Sequence, residues 1–230
     1  MPHLVYFIPT SGYSASEKQR RLALMRQYLD PSFTIDFLTL EGTPEFLDRA
    51  HDFDTAIAAA RAAIGSIGPE VGDVVVSGGA IDPGIPEIRA AARVPLVAPG
   101  ELGLFTATLL GKRLSIVTVD EHAVARAREF VGRTATRPEV VSIRSMAAPV
   151  RAIMRDLETG RAALVREVRA AVLEDGADVV YLGSMTLGTL GVTDELRASL
   201  RVPIIDPLPL ALRMAQEVAR TRVAPAAPRA

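Results

Sequence analysis

The chain contains no cysteine. That absence excludes disulfides, thiolate metal sites and thiol nucleophiles together. Histidine is nearly as scarce. Only His3, His51 and His122 occur, and no pair has the helical spacing that would let two imidazoles share a metal, so no metal site is expected. Neither sign of charge is in excess, with Lys+Arg at 26 and Asp+Glu at 27 for a net charge of −1. No polybasic field recommends nucleic acid or an anionic membrane as partner. No apolar run approaches the roughly 20 residues of a membrane-spanning helix. The opening MPHLVYFIPTSGYSASEKQ turns polar after one short apolar run, without the core or cleavage site of a signal peptide. A soluble, cytoplasmic protein is the expectation. Phosphate-binding loops are missing too: GSMTLGTLG has no following lysine and SGGAIDPG lacks dinucleotide spacing.

What the chain does have is apolar residues, 49% of its 230 positions, enough for one large domain or two lobes. They fall into short β-branched runs: 4–8, 34–40, 74–77, 95–98, 114–119, 140–143, 179–182 and 203–205. Gly, Pro or Asp bounds most of them, and they are too continuous for half-exposed strands, which is the pattern of parallel strands covered on both faces. Amphipathic stretches of helical period lie between them, at 16–29, 53–64, 122–131 and 150–173. Such alternation predicts an α/β fold with a mainly parallel sheet and right-handed crossovers. The closing APAAPRA has nothing to bury and reads as a disordered tail.

The chain also repeats itself. DVVVSGGAIDPGIPEIRAAARVPLVAP (73–99) aligns with DVVYLGSMTLGTLGVTDELRASLRVPIIDP (178–207), with three extra residues in the second copy. Each copy reads strand, glycine turn, short helix ending in arginine, then Val-Pro and a further strand. Two copies predict two pseudo-twofold lobes, each built on a four-stranded sheet, rather than a solenoid. The boundaries expected are 1–98 plus 208–230 for one lobe and 99–207 for the other. Ligands in open α/β sheets sit beyond the carboxyl ends of strands. Gly79 and Ser184 occupy matching strand ends and are expected to face each other across an interlobe cleft.

These residues resemble the aspartate/glutamate/hydantoin racemase superfamily, and its hydantoin and allantoin racemase branch most of all. That branch carries a Cys-Phe-x-Asp-Pro-Gly turn and a Gly-Cys-Ala-Gly-Met turn, where this chain has GAIDPG (79–84) and GSMTLG (183–188). FIPTS (7–11) is similar to the Asn-Pro-Asn-Thr-Ser loop after the first strand. VPLVAPGELGLFTATLLGKRLSIVT (94–118) and LEGTPEFLDRAHDFDTAIAAA (40–60) also fit in pattern. In that family two cysteines face each other across the substrate carbon, one removing a proton and the other returning it. Their counterparts here are Gly79 and Ser184, so the standard mechanism is not available. A thiol titrates near pH ~8.5 and can be tuned to a thiolate, whereas a serine hydroxyl needs a neighbouring base. Arylmalonate decarboxylases are similar in having glycine at the first position, but keep the cysteine that Ser184 replaces and place a tyrosine where this chain has Thr118-Val119-Asp120.

The candidate catalytic residues are therefore Ser184, Asp82 and Gly79. Ser184 either holds a carboxylate or oxyanion or serves as a plain turn serine. Asp82 is either a base or a cap on the turn or the helix that follows. The resemblance implies that Thr10, Ser11 and Tyr13 bind a substrate carboxylate or amide; ordinary turn chemistry is the alternative. Thr118 and Asp120 end a strand that could line the cleft, with helix capping the other reading of Asp120. Gly78, Ala80, Gly183 and Met185 are expected to turn unpaired backbone N–H groups into the cleft. The function this implies is an isomerase-like, cofactor-independent enzyme acting at a carbon next to a carboxylate or imide carbonyl of a small substrate. The alternatives are a hydrolase or decarboxylase using Ser184 and a carboxylate, or a non-catalytic protein that binds small carboxylates or cyclic imides. A homo-oligomer is expected.

Overall fold

The computed structural model describes residues 1–47 and 49–221. The APAAPRA tail, and with it residues 222–230 of the expected first lobe, lies outside the described residues. The order of elements is β1 (His3–Ile8), α1 (Ala15–Arg26), β2 (Thr34–Thr39), α2 (Ala50–Ser66), β3 (Val74–Ser77), α3 (Ile85–Ala91), β4 (Leu96–Val97) and α4 (Pro99–Leu110). The same order then recurs with extra helices: β5 (Arg113–Thr118), α5 (Glu121–Arg133), β6 (Glu139–Ser145), α6 (Val150–Arg155), α7 (Leu157–Leu173), β7 (Val179–Leu182), α8 (Met185–Gly188), α9 (Thr193–Leu200), β8 (Ile204–Ile205) and α10 (Pro207–Thr221). Every expected strand is present.

Two four-stranded sheets form, ordered β2-β1-β3-β4 and β6-β5-β7-β8. All six strand pairings are parallel. The orders are identical once the numbering is shifted by four, so the repeat read in the sequence is a repeat of topology. Its acids have a job. Asp73 accepts a hydrogen bond from the backbone N–H of His3 at 2.7 Å, and Asp178 from that of Arg113 at 2.8 Å. Each carboxylate thereby fixes the start of the central strand beside it.

Both faces of each sheet are buried, which is why the strands read as unbroken apolar runs. Leu4, Tyr6, Val74 and Val76 point into a core that also takes Leu114, Ile116, Val179 and Tyr181 from the second sheet. The alternate residues Val5, Phe7 and Val75 pack outward beneath α2 and α3, against Ile64 and Ile88. On the second sheet, Val117, Val180 and Leu182 pack outward against Leu164 and Val168 of α7. The shared core is closed by two exchanged helices. α4 follows the first sheet but packs on β7 and β8, and α10 follows the second sheet but packs on β3 and β4.

One expectation needs correction. The stretch 150–173 is two helices rather than one, because Asp156 leaves helical geometry (φ −139°, ψ 92°) and caps α7 by accepting from Thr159 N. An aspartate bonded to its local backbone competes with helix continuation.

Candidate active site

The carboxyl ends of β1, β3, β5 and β7 open on one cavity of about 130 Å³. At about 30 Å³ per water, this is room for about four waters and hence for a small ligand. Gly79 and Ser184 both line it. Of the other expected residues, Thr10, Tyr13, Gly78, Ala80, Thr118, Asp120, Gly183 and Met185 line it as well.

Two residues are placed elsewhere. Ser11 donates its hydroxyl to Thr43 O at 2.8 Å, and its N–H bonds Pro44 O at 3.1 Å. It ties the loop after β1 to the loop after β2, which carries Phe46 and Leu47 to the cavity wall. Asp82 is 1% exposed and outside the cavity lining. Its carboxylate accepts from Gly100 N at 3.0 Å and Glu101 N at 2.5 Å. It is a cap, but of α4 rather than of the helix that follows it in sequence. Burial pushes its carboxyl up to about 7, against the opposing pull of those two N–H groups.

The supply of free backbone donors is smaller than three N–H groups per turn. Gly78 N bonds Phe7 O at 2.7 Å and Gly183 N bonds Val117 O at 2.7 Å. Each pair extends a parallel ladder one residue beyond its strand, so these two donors are consumed by the sheets. Gly79 N reaches Ser77 Oγ at 3.3 Å. Among the described residues, the N–H groups of Ala80 and Ser184 have no hydrogen-bond partner. They are donors left at the two repeat turns.

Ser184 caps the short α8, its Oγ accepting from Thr186 N at 3.3 Å. No histidine or carboxylate among the described residues bonds that hydroxyl, so a serine nucleophile has no base in hydrogen-bond reach. His122 is exposed and does not line the cavity. Gly79 has no room for a side chain in this turn: a Cβ there would lie 2.7 Å from Pro83 Cδ. Asp120 is the one carboxylate among the described lining residues. It caps α5 through Oδ1, which accepts from Ala123 N at 2.9 Å.

A family model described as Asp/Glu/Hydantoin racemase matches residues 9–215. The chain belongs to the Asp/Glu/hydantoin racemase family. Among curated family members, it is 27% identical over 135 residues to a hydantoin racemase from Rhizobium meliloti, covering 59% of this chain and 55% of the relative. The aligned part thus spans little more than half the length of that relative. Among solved structures, an allantoin racemase from Klebsiella pneumoniae superposes with a TM-score of 0.84 at 21% identity, over 96% of this chain and 88% of that one. A liganded mutant of arylmalonate decarboxylase superposes with a TM-score of 0.67 at 18% identity, over 97% and 94% of the two chains. At these identities the superpositions establish the fold. Gly79 and Ser184 stand at the turns where the resemblance places two thiols.

One charged lining residue escaped the reading of the sequence. Arg21 of α1 reaches the cavity wall although only 1% of it is exposed. A signal for it exists. Arg21 and Met25 stand four residues apart and are the two buried residues of α1, so a charge sits on the helix's inward face.

Proposed function

We propose that this chain is a racemase-family enzyme that acts at a carbon next to a carboxylate or imide carbonyl of a small substrate. It does so without paired thiols and, as the resemblance implies, without a cofactor. The observation that carries this reading is the convergence of both repeat turns on one cavity whose described lining holds a single carboxylate, Asp120, and a single cation, Arg21. Acidifying such a carbon requires a proton acceptor on one side and stabilisation of charge developing on the carbonyl oxygen. Asp120 is the acceptor in this proposal; Oδ2 has no hydrogen-bond partner among the described residues. Arg21 and the free N–H groups of Ala80 and Ser184 supply the stabilisation.

The placement of these groups favours chemistry with one proton carrier. Asp120 and Ser184 both belong to the second half of the fold, while the facing turn of the first half offers only Gly78, Gly79 and Ala80. Decarboxylation, or exchange at a carbon acid from one face, fits this one-sided supply better than two-base racemisation. A binding protein that has lost catalysis is the second reading, and the engagement of Ser184 Oγ with Thr186 N alone favours it.

The experiment is proton NMR in heavy water with 5-benzylhydantoin, together with carbon dioxide release from phenylmalonate. Deuterium uptake at the substituted carbon or carbon dioxide release is expected, reduced at least 100-fold by Asp120→Asn. Binding of these compounds with neither reaction would overturn the enzyme reading in favour of the binding one.

A further inference from the structure

We propose that Arg21 is the anion receptor of the cleft, and that the natural ligand is a small carboxylate carrying an apolar group. This deepens the proposed function and rests on it only for the location of the ligand.

Arg21 is a charge taken almost wholly out of water, with 1% of its side chain exposed. Its Nε donates to Glu17 Oε1 at 2.6 Å and its Nη2 to Thr186 Oγ1 at 3.1 Å. No acceptor among the described residues meets hydrogen-bond geometry at Nη1; the buried Tyr6 hydroxyl, itself without a partner in that geometry, lies beside the guanidinium. Tyr13 lies against the guanidinium, its ring centroid 4.8 Å from Cζ, and holds the plane of the fork.

The local charge does not balance. Glu17 also accepts from Arg20, through Nε and Nη2 at 2.7 Å each. Two guanidiniums therefore share one carboxylate, and the cluster carries one positive charge in excess. Asp206 also lies behind the α8 turn, held by Leu208 N at 3.0 Å. Burial pushes its carboxyl up. A buried guanidinium without a full partner is costly, and a ligand carboxylate meeting its planar fork from the cavity side would offset that cost.

The same cluster is wired to the turn of the repeat. Thr186 accepts from Arg21 through Oγ1 and donates its N–H to Ser184 Oγ, so one residue spaces the cation from the serine. Much of the remaining wall is apolar, with Phe46, Phe53, Val150 and Met185 among its residues, and Asp120 is its one carboxylate among the described residues. Such a lining accepts an aryl or branched alkyl group once the carboxylate is fixed.

The test is calorimetric titration of the whole chain with phenylacetate and with phenylacetamide, which match in shape and differ in charge. The native protein is expected to prefer the carboxylate at least tenfold. Arg21→Gln should abolish that preference while changing amide affinity less than twofold, and Arg21→Lys should keep part of it. Glu17→Gln, which removes the competing carboxylate, should tighten phenylacetate several-fold. If carboxylate and amide weaken together, Arg21 only supports the fold and the proposal is overturned. A native protein without carboxylate preference overturns it equally. Should Arg21→Gln not fold, Arg21→Lys and Glu17→Gln decide by their opposite signs. No turnover enters these measurements, so the proposed chemistry can fail while the receptor stands.

Discussion

Tyr181 donates its hydroxyl to the carbonyl of Ala80 at 2.6 Å, and lies 3.2 Å from the carbonyl of Pro99. The donor sits on the central strand β7 of one sheet; the main acceptor belongs to the glycine turn of the other. The turn that holds Gly79 is thus braced from the opposite half through a fully buried bond. The ring has no spare room, since a Cβ at Gly103 would lie 2.2 Å from Tyr181 Cε2.

Tyr181→Phe is expected to destabilise the chain by about 1–3 kcal/mol, the cost of leaving a buried carbonyl unpaired. Gly103→Ala should do at least as much harm by forcing that ring aside. In the double variant the two effects should be less than additive, because both act on one side chain. Urea denaturation checks this, and full additivity would show that the residues act independently.

Asp82 gives the fold a pH dependence with a definite sign. Its folded pKa of about 7 lies above the ~3.9 of an unfolded aspartate, so the native state keeps the proton longer. That contribution is complete below about pH 4 and is lost as pH rises through about 7. Asp82→Asn should be less stable at low pH, because its amide cannot accept from both Gly100 N and Glu101 N. Its stability should also fall less between those limits. Asp206, shifted in the same direction, leaves a residual slope. Denaturant midpoints measured across this range would contradict the assignment if the variant kept the native slope.

Gly79→Ala is expected to cost about 1–3 kcal/mol, the usual penalty for overpacking, because its Cβ would approach Pro83 Cδ to 2.7 Å. Pro83→Ala in the same chain should relieve part of that penalty. If Gly79→Ala costs the same whichever residue occupies position 83, the contact with the proline ring is not the cause. Thermal unfolding of the four chains of this cycle gives the answer.

Iodoacetamide should leave ligand binding by the native chain unchanged, since there is no thiol to alkylate. Ser184→Cys introduces one at the cavity wall, where alkylation is expected to block phenylacetate and bound phenylacetate to slow alkylation. Mass spectrometry and titration follow both. Full alkylation with unimpaired binding would place the ligand away from Ser184.

The eight strands were legible in the sequence because burial on both sheet faces writes continuous apolar runs that short windows detect. The repeat was legible because matching positions do matching jobs in the two halves, as with Asp73 and Asp178 fixing the starts of β1 and β5. The break at Asp156 was less visible, since apolar period continues through it while its side chain caps the next helix.

The sequence by itself determined the two-sheet architecture, the matched turns at Gly79 and Ser184, and the absence of any thiol. Tertiary structure alone decided which polar groups remain available. Asp82 is drawn away to the α4 N-terminus, eighteen residues along the chain from Gly100, and Ser11 to Thr43. Gly78 and Gly183 spend their N–H groups on ladder bonds to Phe7 and Val117. Arg21 reaches the cavity wall beside Thr186, 165 residues distant in sequence. Periodicity records whether a residue is buried, because burial repeats with the geometry of its own helix or strand. The partner of a buried polar group is set by chain segments remote in sequence, and no local pattern encodes it.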